Sequence, residues 1–122
     1  MAILFLSDAA QTGAWAAALA RELPDDEVLI GTGAARDRTP DIDFAVVWYP
    51  PPGLLARLAN LKAILSLGAG VDHVFLDPAL PAGVPVVRLV DPALTEQMAE
   101  WVAMNVLRHH RLLEAPRHPA RR

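Results

Sequence analysis

An apolar run that ends abruptly in glycines constrains this chain more than any other stretch. Residues 63–67 are typical of a buried strand, and Gly68, Ala69 and Gly70 follow at once. Glycine adopts positive φ at little cost and has no Cβ to shield its backbone N–H group. If a short helix begins at Val71, these N–H groups lie at its positive end, where anions bind. The stretch therefore predicts either an anion-binding loop or simply a tight connection.

Length and composition indicate one globular domain. The chain has 122 residues, 53% of them hydrophobic, and a mean hydropathy of +0.27. This length supports a single core but is small for a two-domain enzyme. No apolar run approaches the ~18 residues of a membrane span. Residues 1–6 lack the basic segment of a signal peptide, so we interpret them as a first strand.

Charge and cysteine content exclude several classes of protein. The net charge of −3 gives no general attraction to nucleic acid. The sequence contains no cysteine, which excludes disulfides and thiolate metal sites and is typical of a cytoplasmic protein. His109 and His110 are adjacent and would point in different directions from a helix, so we expect no metal site.

Apolar segments alternate with helical ones along the chain. Strands are predicted at residues 3–6, 28–30, 44–49, 63–67 and 86–90. Helices are predicted at residues 12–23, 54–61, 71–76 and 93–113. The first carries Trp15, Leu19 and Leu23 along one face. Residues 31–43 are expected to form a polar loop with at most a degenerate helix. This alternation predicts a parallel sheet with helices on both faces, which binds ligands beyond the carboxyl ends of its strands. Asp8, Trp48 and the glycine stretch fall at such ends.

The last predicted helix has a clear start and an apolar face. Asp91-Pro92 combines a capping residue with proline at the first helical position. The apolar face consists of Leu94, Met98, Trp101 and Val102. Residues 114–122 form a basic Pro/Arg tail, which is most simply a frayed terminus.

The segment from Ser66 to His73 resembles the substrate-carboxylate loop of the D-2-hydroxyacid dehydrogenases, and the closest branch is the glyoxylate/hydroxypyruvate reductase A type. Three other stretches agree in order and spacing, namely residues 46–51, 85–92 and 96–101. The resemblance covers residues 1–113 and implies the amino-terminal substrate-binding domain of such an enzyme. The implied fold is a flavodoxin-like three-layer sandwich with a five-stranded parallel sheet and a long C-terminal helix.

The resemblance also implies roles for particular residues. In that family the backbone N–H groups of this loop hold the carboxylate of a 2-oxo acid, which here means Ala69 and Gly70, with Gly68 and Val71 beside them. Asp72 and His73 are expected to be structural. Trp48 stands where the family lines its substrate pocket, although a tryptophan at a strand end is equally typical of a core. Met98 is expected to pack in the core or between domains, with a nicotinamide contact as the alternative.

The family's second domain has no counterpart in this sequence. There a Rossmann domain supplies a G-x-G-x-x-G loop, which binds NADPH or NADH, and the catalytic Arg, Glu and His. Here His73 occupies the position of the third glycine, so the Gly68 loop is not a dinucleotide fingerprint. We expect no catalytic residue and no bound cofactor in this chain, and therefore no activity from it alone.

The resemblance also implies which molecules this chain binds. In the whole enzyme the substrates would be 2-oxo acids such as glyoxylate or hydroxypyruvate, which are reduced to 2-hydroxy acids. The expected partners of this chain are such an acid, the missing Rossmann domain and a second copy in a homodimer. We expect neither a nucleic acid nor a membrane as a partner.

A stand-alone flavodoxin-like binding or interaction module is the alternative. A phosphoryl receiver would need an acidic pair after strand one, an aspartate ending strand three and a lysine after strand five. The chain offers a single Asp8, then Trp48-Tyr49, then Asp91, so a receiver is rejected. A module that binds a small acid, or a partner chain, stays open.

Overall fold

The structure is a computed structural model that describes residues 1–7 and 12–111, apart from the side chain of Asp37. The predictions for Asp8 and for the tail at 114–122 lie outside the described residues. The chain divides into two compact units, Met1–Val90 and Asp91–Arg122.

The first unit is built on one parallel sheet of five strands. They are β1 (Ala2–Leu6), β2 (Glu27–Ile30), β3 (Ile42–Val47), β4 (Ala63–Ser66) and β5 (Val86–Val87). Every pairing is parallel, and the order across the sheet is β2-β1-β3-β4-β5. This order is that of the flavodoxin-like fold, whose direction of winding reverses between β1 and β3. The predicted fold class is therefore confirmed.

The core lies around β1 and β3. All five residues of β1 are buried, and Leu4 and Phe5 are completely inaccessible, as expected for a parallel strand covered on both faces. The leucines that follow β3 were predicted to form a short helix. Only a 3₁₀ turn, Leu55–Arg57, forms there, yet all of those leucines join the buried core: Leu54, Leu55, Leu58 and Leu61.

The segment 31–43, expected to be a polar loop with at most a degenerate helix, contains a short helix and a 3₁₀ turn. Helix α2 spans Gly31–Asp37, and a 3₁₀ turn, Thr39–Asp41, leads directly into β3. Ala35 is completely buried and belongs to the core cluster. A helix of two turns that docks mainly through one small residue shows no apolar period, so the sequence pattern missed it.

Two further expectations need correction. Strand β5 has two residues rather than the predicted 86–90, and Arg88 beyond it is exposed. Helix α1 spans Thr12–Glu22, but Trp15 on its predicted core face is 42% exposed and Ala16 is buried instead. Alanine lets the helix approach the sheet closely, whereas the larger indole at position 15 is only partly covered.

The second unit contains helix α4, Pro92–His110. The predicted start is confirmed, since the Asp91 carboxylate accepts a hydrogen bond of 2.9 Å from the Ala93 N–H group. The helix ends at His110 with Arg111 as its C-cap, so the prediction that it continues to residue 113 is wrong. Helix α4 buries none of its own residues, all of which are described. Within the described part of the chain, no helix is long and apolar enough to cross a membrane.

Candidate functional site

The candidate site lies where β3 and β4 end, beside the reversal point of the sheet. The Trp48 N–H group donates to the Leu6 carbonyl at 2.8 Å, and the Leu67 N–H group donates to the Val47 carbonyl at 3.0 Å. These bonds extend the sheet by one residue past both strands. They hold the turn after β3 and the glycine loop after β4 next to each other.

Gly68 is required here by close approach. A Cβ at this position would collide with the Trp48 ring, because the indole lies directly against the glycine. Gly68 and Gly70 both lack positive φ, so the expectation that the loop uses glycine for its backbone freedom is wrong. At Gly70 the nearest atom to a Cβ would be the Asp72 Oδ2 atom at 4.0 Å, which leaves room.

The hydrogen bonds of the loop leave three consecutive donors unused. The Gly68 N–H group donates to the Ser66 Oγ atom at 3.3 Å, and that hydroxyl donates to the Gly70 carbonyl at 3.2 Å. Among the described residues, nothing accepts from the backbone N–H groups of Ala69, Gly70 and Val71. Gly68 thus shapes the loop, while the next three residues present the donors.

The helix after the loop is short. Helix α3 spans Asp72–Phe75, so it begins one residue later than predicted, and it is anchored by Val74, which is completely buried. Four residues give little macrodipole, so any attraction for an anion comes from the individual N–H groups. The Asp72 carboxylate stands in the first turn and opposes an anion bound beside it.

Three aromatic rings pack together beside the glycine loop. The ring centroids of Trp48 and His73 are 4.8 Å apart, those of Tyr49 and His73 4.7 Å, and those of Trp48 and Tyr49 5.2 Å. The His73 Nε2 atom is buried and has no hydrogen-bond partner in the described part of the chain. These contacts support the prediction that His73 has a packing role.

Tyr49 was not singled out from the sequence. Its φ of 50° makes it the one non-glycine residue with positive φ among those the structure describes, and its side chain is 62% exposed. Positive φ is rare for a bulky residue. The only signal in the sequence is that the tyrosine stands between Trp48, at the end of a strand, and the three prolines at 50–52.

A cavity of about 280 Å³ opens on the other side of the aromatic turn. Trp48 and Tyr49 contribute to its lining, together with Pro51, the end of β1 at Leu6 and Ser7, and the start of α2 at Gly31 and Thr32. The Trp48 ring therefore touches the glycine loop and also lines a cavity large enough for a small ligand.

Met98 lies on α4 in the second unit, and its nicotinamide contact stays a prediction. In the described ranges, no three His, Asp or Glu side chains are grouped so that they could hold a metal ion.

Comparison with known proteins gives a consistent result. The chain is 38% identical over 120 residues to glyoxylate/hydroxypyruvate reductase A of Yersinia enterocolitica, which covers 93% of this chain and 37% of that protein. It is 37% identical over 116 residues to the protein of the same name from Serratia proteamaculans, with 91% and 36% covered. The chain thus spans little more than a third of the length of these relatives. No family model matches it.

Solved structures show the same relationship. A D-isomer specific 2-hydroxyacid dehydrogenase from Xanthobacter autotrophicus Py2, solved with NADPH and MES, superposes with a TM-score of 0.75 at 38% identity, over 88% of this chain and 35% of that one. An NADPH-dependent glyoxylate/hydroxypyruvate reductase from Sinorhizobium meliloti, solved with NADP and sulfate, gives 0.71 at 38% identity, over 91% and 35%.

Fold and sequence together therefore define a flavodoxin-like α/β domain that is similar to part of the 2-hydroxyacid dehydrogenases. More particularly, the chain is related to the D-2-hydroxyacid dehydrogenases of the glyoxylate/hydroxypyruvate reductase A type, and the resemblance predicted from its motifs is confirmed.

Proposed function

We propose that this chain is the substrate-binding part of an NAD(P)-dependent D-2-hydroxyacid dehydrogenase that reduces a small 2-oxo acid to a 2-hydroxy acid. The carboxylate of the acid binds the backbone N–H groups of Ala69, Gly70 and Val71. The observation that carries the proposal is that these three successive donors have no acceptor among the described residues. The names of the relatives, glyoxylate/hydroxypyruvate reductase A, support glyoxylate and hydroxypyruvate as the substrates.

The chain's own contribution to the reaction is binding and orientation. Backbone donors at fixed positions hold the carboxylate without changing their charge, and the Trp48 ring against Gly68 keeps the loop in place. In a whole enzyme a nicotinamide cofactor supplies the hydride. The residues of this loop do not fit a dinucleotide, because His73 replaces the third glycine and α3 has only four residues.

The proposed site is weak in this chain alone. Its donors are backbone amides, and residues 66–73 contain no lysine or arginine that could add an ion pair to the carboxylate. The exposed Asp72 carboxylate lies nearby and repels an anion. We therefore expect a Kd in the millimolar range or weaker, which corresponds to at most ~4 kcal/mol of binding free energy.

Titration with glyoxylate tests the carboxylate site. Backbone amide shifts of the isotopically labelled 122-residue chain should move at Ala69, Gly70 and Val71 and saturate with the ligand. Glycolaldehyde, which has no carboxylate, is the matched control and should leave these amides unmoved. No saturable shift at Ala69, Gly70 and Val71 would count against the site, whichever other amides respond.

An activity assay tests the expectation that this chain binds the substrate but does not reduce it alone. We expect the purified chain not to reduce glyoxylate or hydroxypyruvate with NADH or NADPH, because its sequence contains no G-x-G-x-x-G loop. Turnover above the buffer background would contradict this expectation.

A further inference from the structure

A second cavity, of about 320 Å³, lies between α2 and the turn that follows β3. Arg36 of α2 and Arg57 of the 3₁₀ turn contribute to its lining, together with Thr32. We propose that this arginine cleft binds an oxyanion, namely the phosphate or carboxylate group of a small molecule. None of its lining residues belongs to the glycine loop, so it is a separate site and does not depend on the proposed function.

The charges around the arginine cleft are uncompensated. Among the described residues, neither Arg36 nor Arg57 forms an ion pair or a hydrogen bond, and no carboxylate lines the cavity. Two other arginines are paired: Arg21 with Glu22 at 2.9 Å, and Arg38 with Glu27 at 3.0 Å and with Asp41 at 2.7 Å. Two like charges that border one cavity repel each other, and a bound anion relieves that repulsion.

The opposite wall is fixed and offers no competing donor. Pro51 and Pro52 have no N–H group, and the Gly53 N–H group donates to the Asp77 Oδ2 atom at 2.7 Å. Asp77 is buried, and its other oxygen accepts from the Ala79 N–H group at 2.9 Å. The φ of 73° at Gly53 adds a conformation that only glycine adopts without strain.

The donors that remain define the class of ligand. Guanidinium groups bind carboxylate and phosphate oxygens through two parallel hydrogen bonds. The hydroxyl of Thr32 adds a third donor, and it makes no hydrogen bond of its own within the described ranges. The Asp77 carboxylate behind Gly53 is engaged with two N–H groups, and among the lining residues only the two arginines are charged.

A titration with inorganic phosphate tests the cleft, with chloride used to keep the ionic strength constant. In the wild type the amide signals of Thr32 and Gly53 should shift and saturate, with a Kd on the order of millimolar. The double variant Arg36→Gln/Arg57→Gln should bind at least ~10-fold more weakly, because it loses the charge-assisted contacts of both guanidinium groups. The matched control is Arg21→Gln/Arg88→Gln, which removes the same charge from exposed positions elsewhere and should bind like the wild type.

A parallel titration with acetate separates the two sources of the anion. Equal affinities assign the cleft to carboxylates in general, whereas tighter binding of phosphate assigns it to phosphate groups. The proposal is overturned if the wild type shows no saturable shift at Thr32 and Gly53, if only Ala69–Val71 respond, or if the control variant loses as much affinity as the test variant. The glyoxylate titration reads a different set of amides, so either site can fail without the other.

Discussion

At Gly68 the indole of Trp48 occupies the space that a side chain would need. We expect Gly68→Ala to lower the free energy of unfolding by about 1–3 kcal/mol, because the ring has to move to admit a methyl group. Gly70→Ala is the matched control two residues away, and with its nearest neighbour at 4.0 Å it should change stability by less than about 0.5 kcal/mol. Urea denaturation of both variants measures the difference, and equal stabilities would contradict the close approach.

Alanine is usually more stabilising than glycine within a helix or strand, but the positive φ of Tyr49 predicts the opposite order at this position. Tyr49→Ala and Tyr49→Gly both remove the ring that packs on His73, but alanine must also adopt φ near 50°. That conformation costs an alanine about 1 kcal/mol and costs glycine nothing, so we expect the glycine variant to be the more stable of the two.

Chemical denaturation of the two Tyr49 variants checks this order. Ala20→Gly on the exposed side of α1 is the control, and there glycine should be the less stable residue by about 0.5–1 kcal/mol. If Tyr49→Ala proves as stable as Tyr49→Gly, the backbone at this position is not strained. Strain of this kind is common at ligand sites, and Tyr49 lies beside the candidate site described above.

Some residues of the candidate site could be predicted from the sequence, whereas their backbone geometry could not. The glycine loop and Trp48 were recognised from their motifs, and the structure brings the two into contact. The sequence could not show that Ser66 takes up the Gly68 N–H group and leaves the next three donors unused, because this depends on the loop's path. Nor could it show the strain at Tyr49, since a residue that is forced into positive φ by its surroundings carries no compositional mark.

Among the elements, the starts of β1 and β3 are tied together by one carboxylate. The Asp43 Oδ2 atom accepts from the Ala2 N–H group at 3.0 Å, and its Oδ1 atom is paired with the Lys62 Nζ atom at 2.7 Å. The hydrogen bond from Lys62, and next the one from Ala2, lower the pKa of Asp43 below its ordinary value. The folded state therefore stabilises the charged form.

Because the pKa of Asp43 is lower in the folded state, its contribution to stability decreases as the pH falls. The stabilisation from Asp43 is fully present above its unfolded pKa of about 4 and is lost as the pH falls through the lower folded value. We expect Asp43→Asn to be less stable than the wild type at pH 6, and the gap to shrink at pH 2 to 3. Asp25→Asn removes an exposed carboxylate with no partner among the described residues and should show no such trend. Urea midpoints of the wild type and both variants, measured across this pH range, test the prediction. A stability difference between Asp43→Asn and the wild type that does not change with pH would contradict it.

The elements that were misjudged share one physical reason. Helix α2 attaches through Ala35, and α1 through Ala16 rather than Trp15. Periodicity finds helices by their large apolar residues, but an alanine allows a helix to pack closely while adding almost nothing to the pattern. Strands β1, β3 and β4 were found because parallel strands covered on both faces are apolar without interruption.

For the whole molecule, the alternation of strands and helices was sufficient to predict the class of fold. Alternating elements leave few arrangements, because crossovers between parallel strands are right-handed and short. The particular order β2-β1-β3-β4-β5 followed from the resemblance, since the same alternation also fits other doubly wound sheets. The oligomeric state depends on which surfaces meet a second chain, and neither pattern nor fold determines that.

Helix α4 leads to the prediction of a homodimer. Leu94, Met98, Trp101 and Val102 follow one another at intervals that place them on one face, and each is between 47% and 60% exposed. Burial of apolar surface is worth ~25 cal/mol per Å², so covering one tryptophan contributes a few kcal/mol. A second copy offers the same stripe, and two such helices related by a two-fold axis cover each other.

We therefore expect the chain to self-associate through α4 as a two-fold dimer, either by pairing or by exchange of the helices. Light scattering should give twice the chain mass for the wild type and the monomer mass for Trp101→Glu, because a buried carboxylate at the centre of the stripe has no partner. Trp15→Glu makes the same change at the exposed tryptophan of α1 and should leave the dimer intact. A wild type that stays monomeric at high concentration rules the proposal out. A dimer that is lost in both variants, or retained in both, places the interface elsewhere. Only an interface through α4 makes Trp101→Glu disruptive while Trp15→Glu leaves the dimer intact.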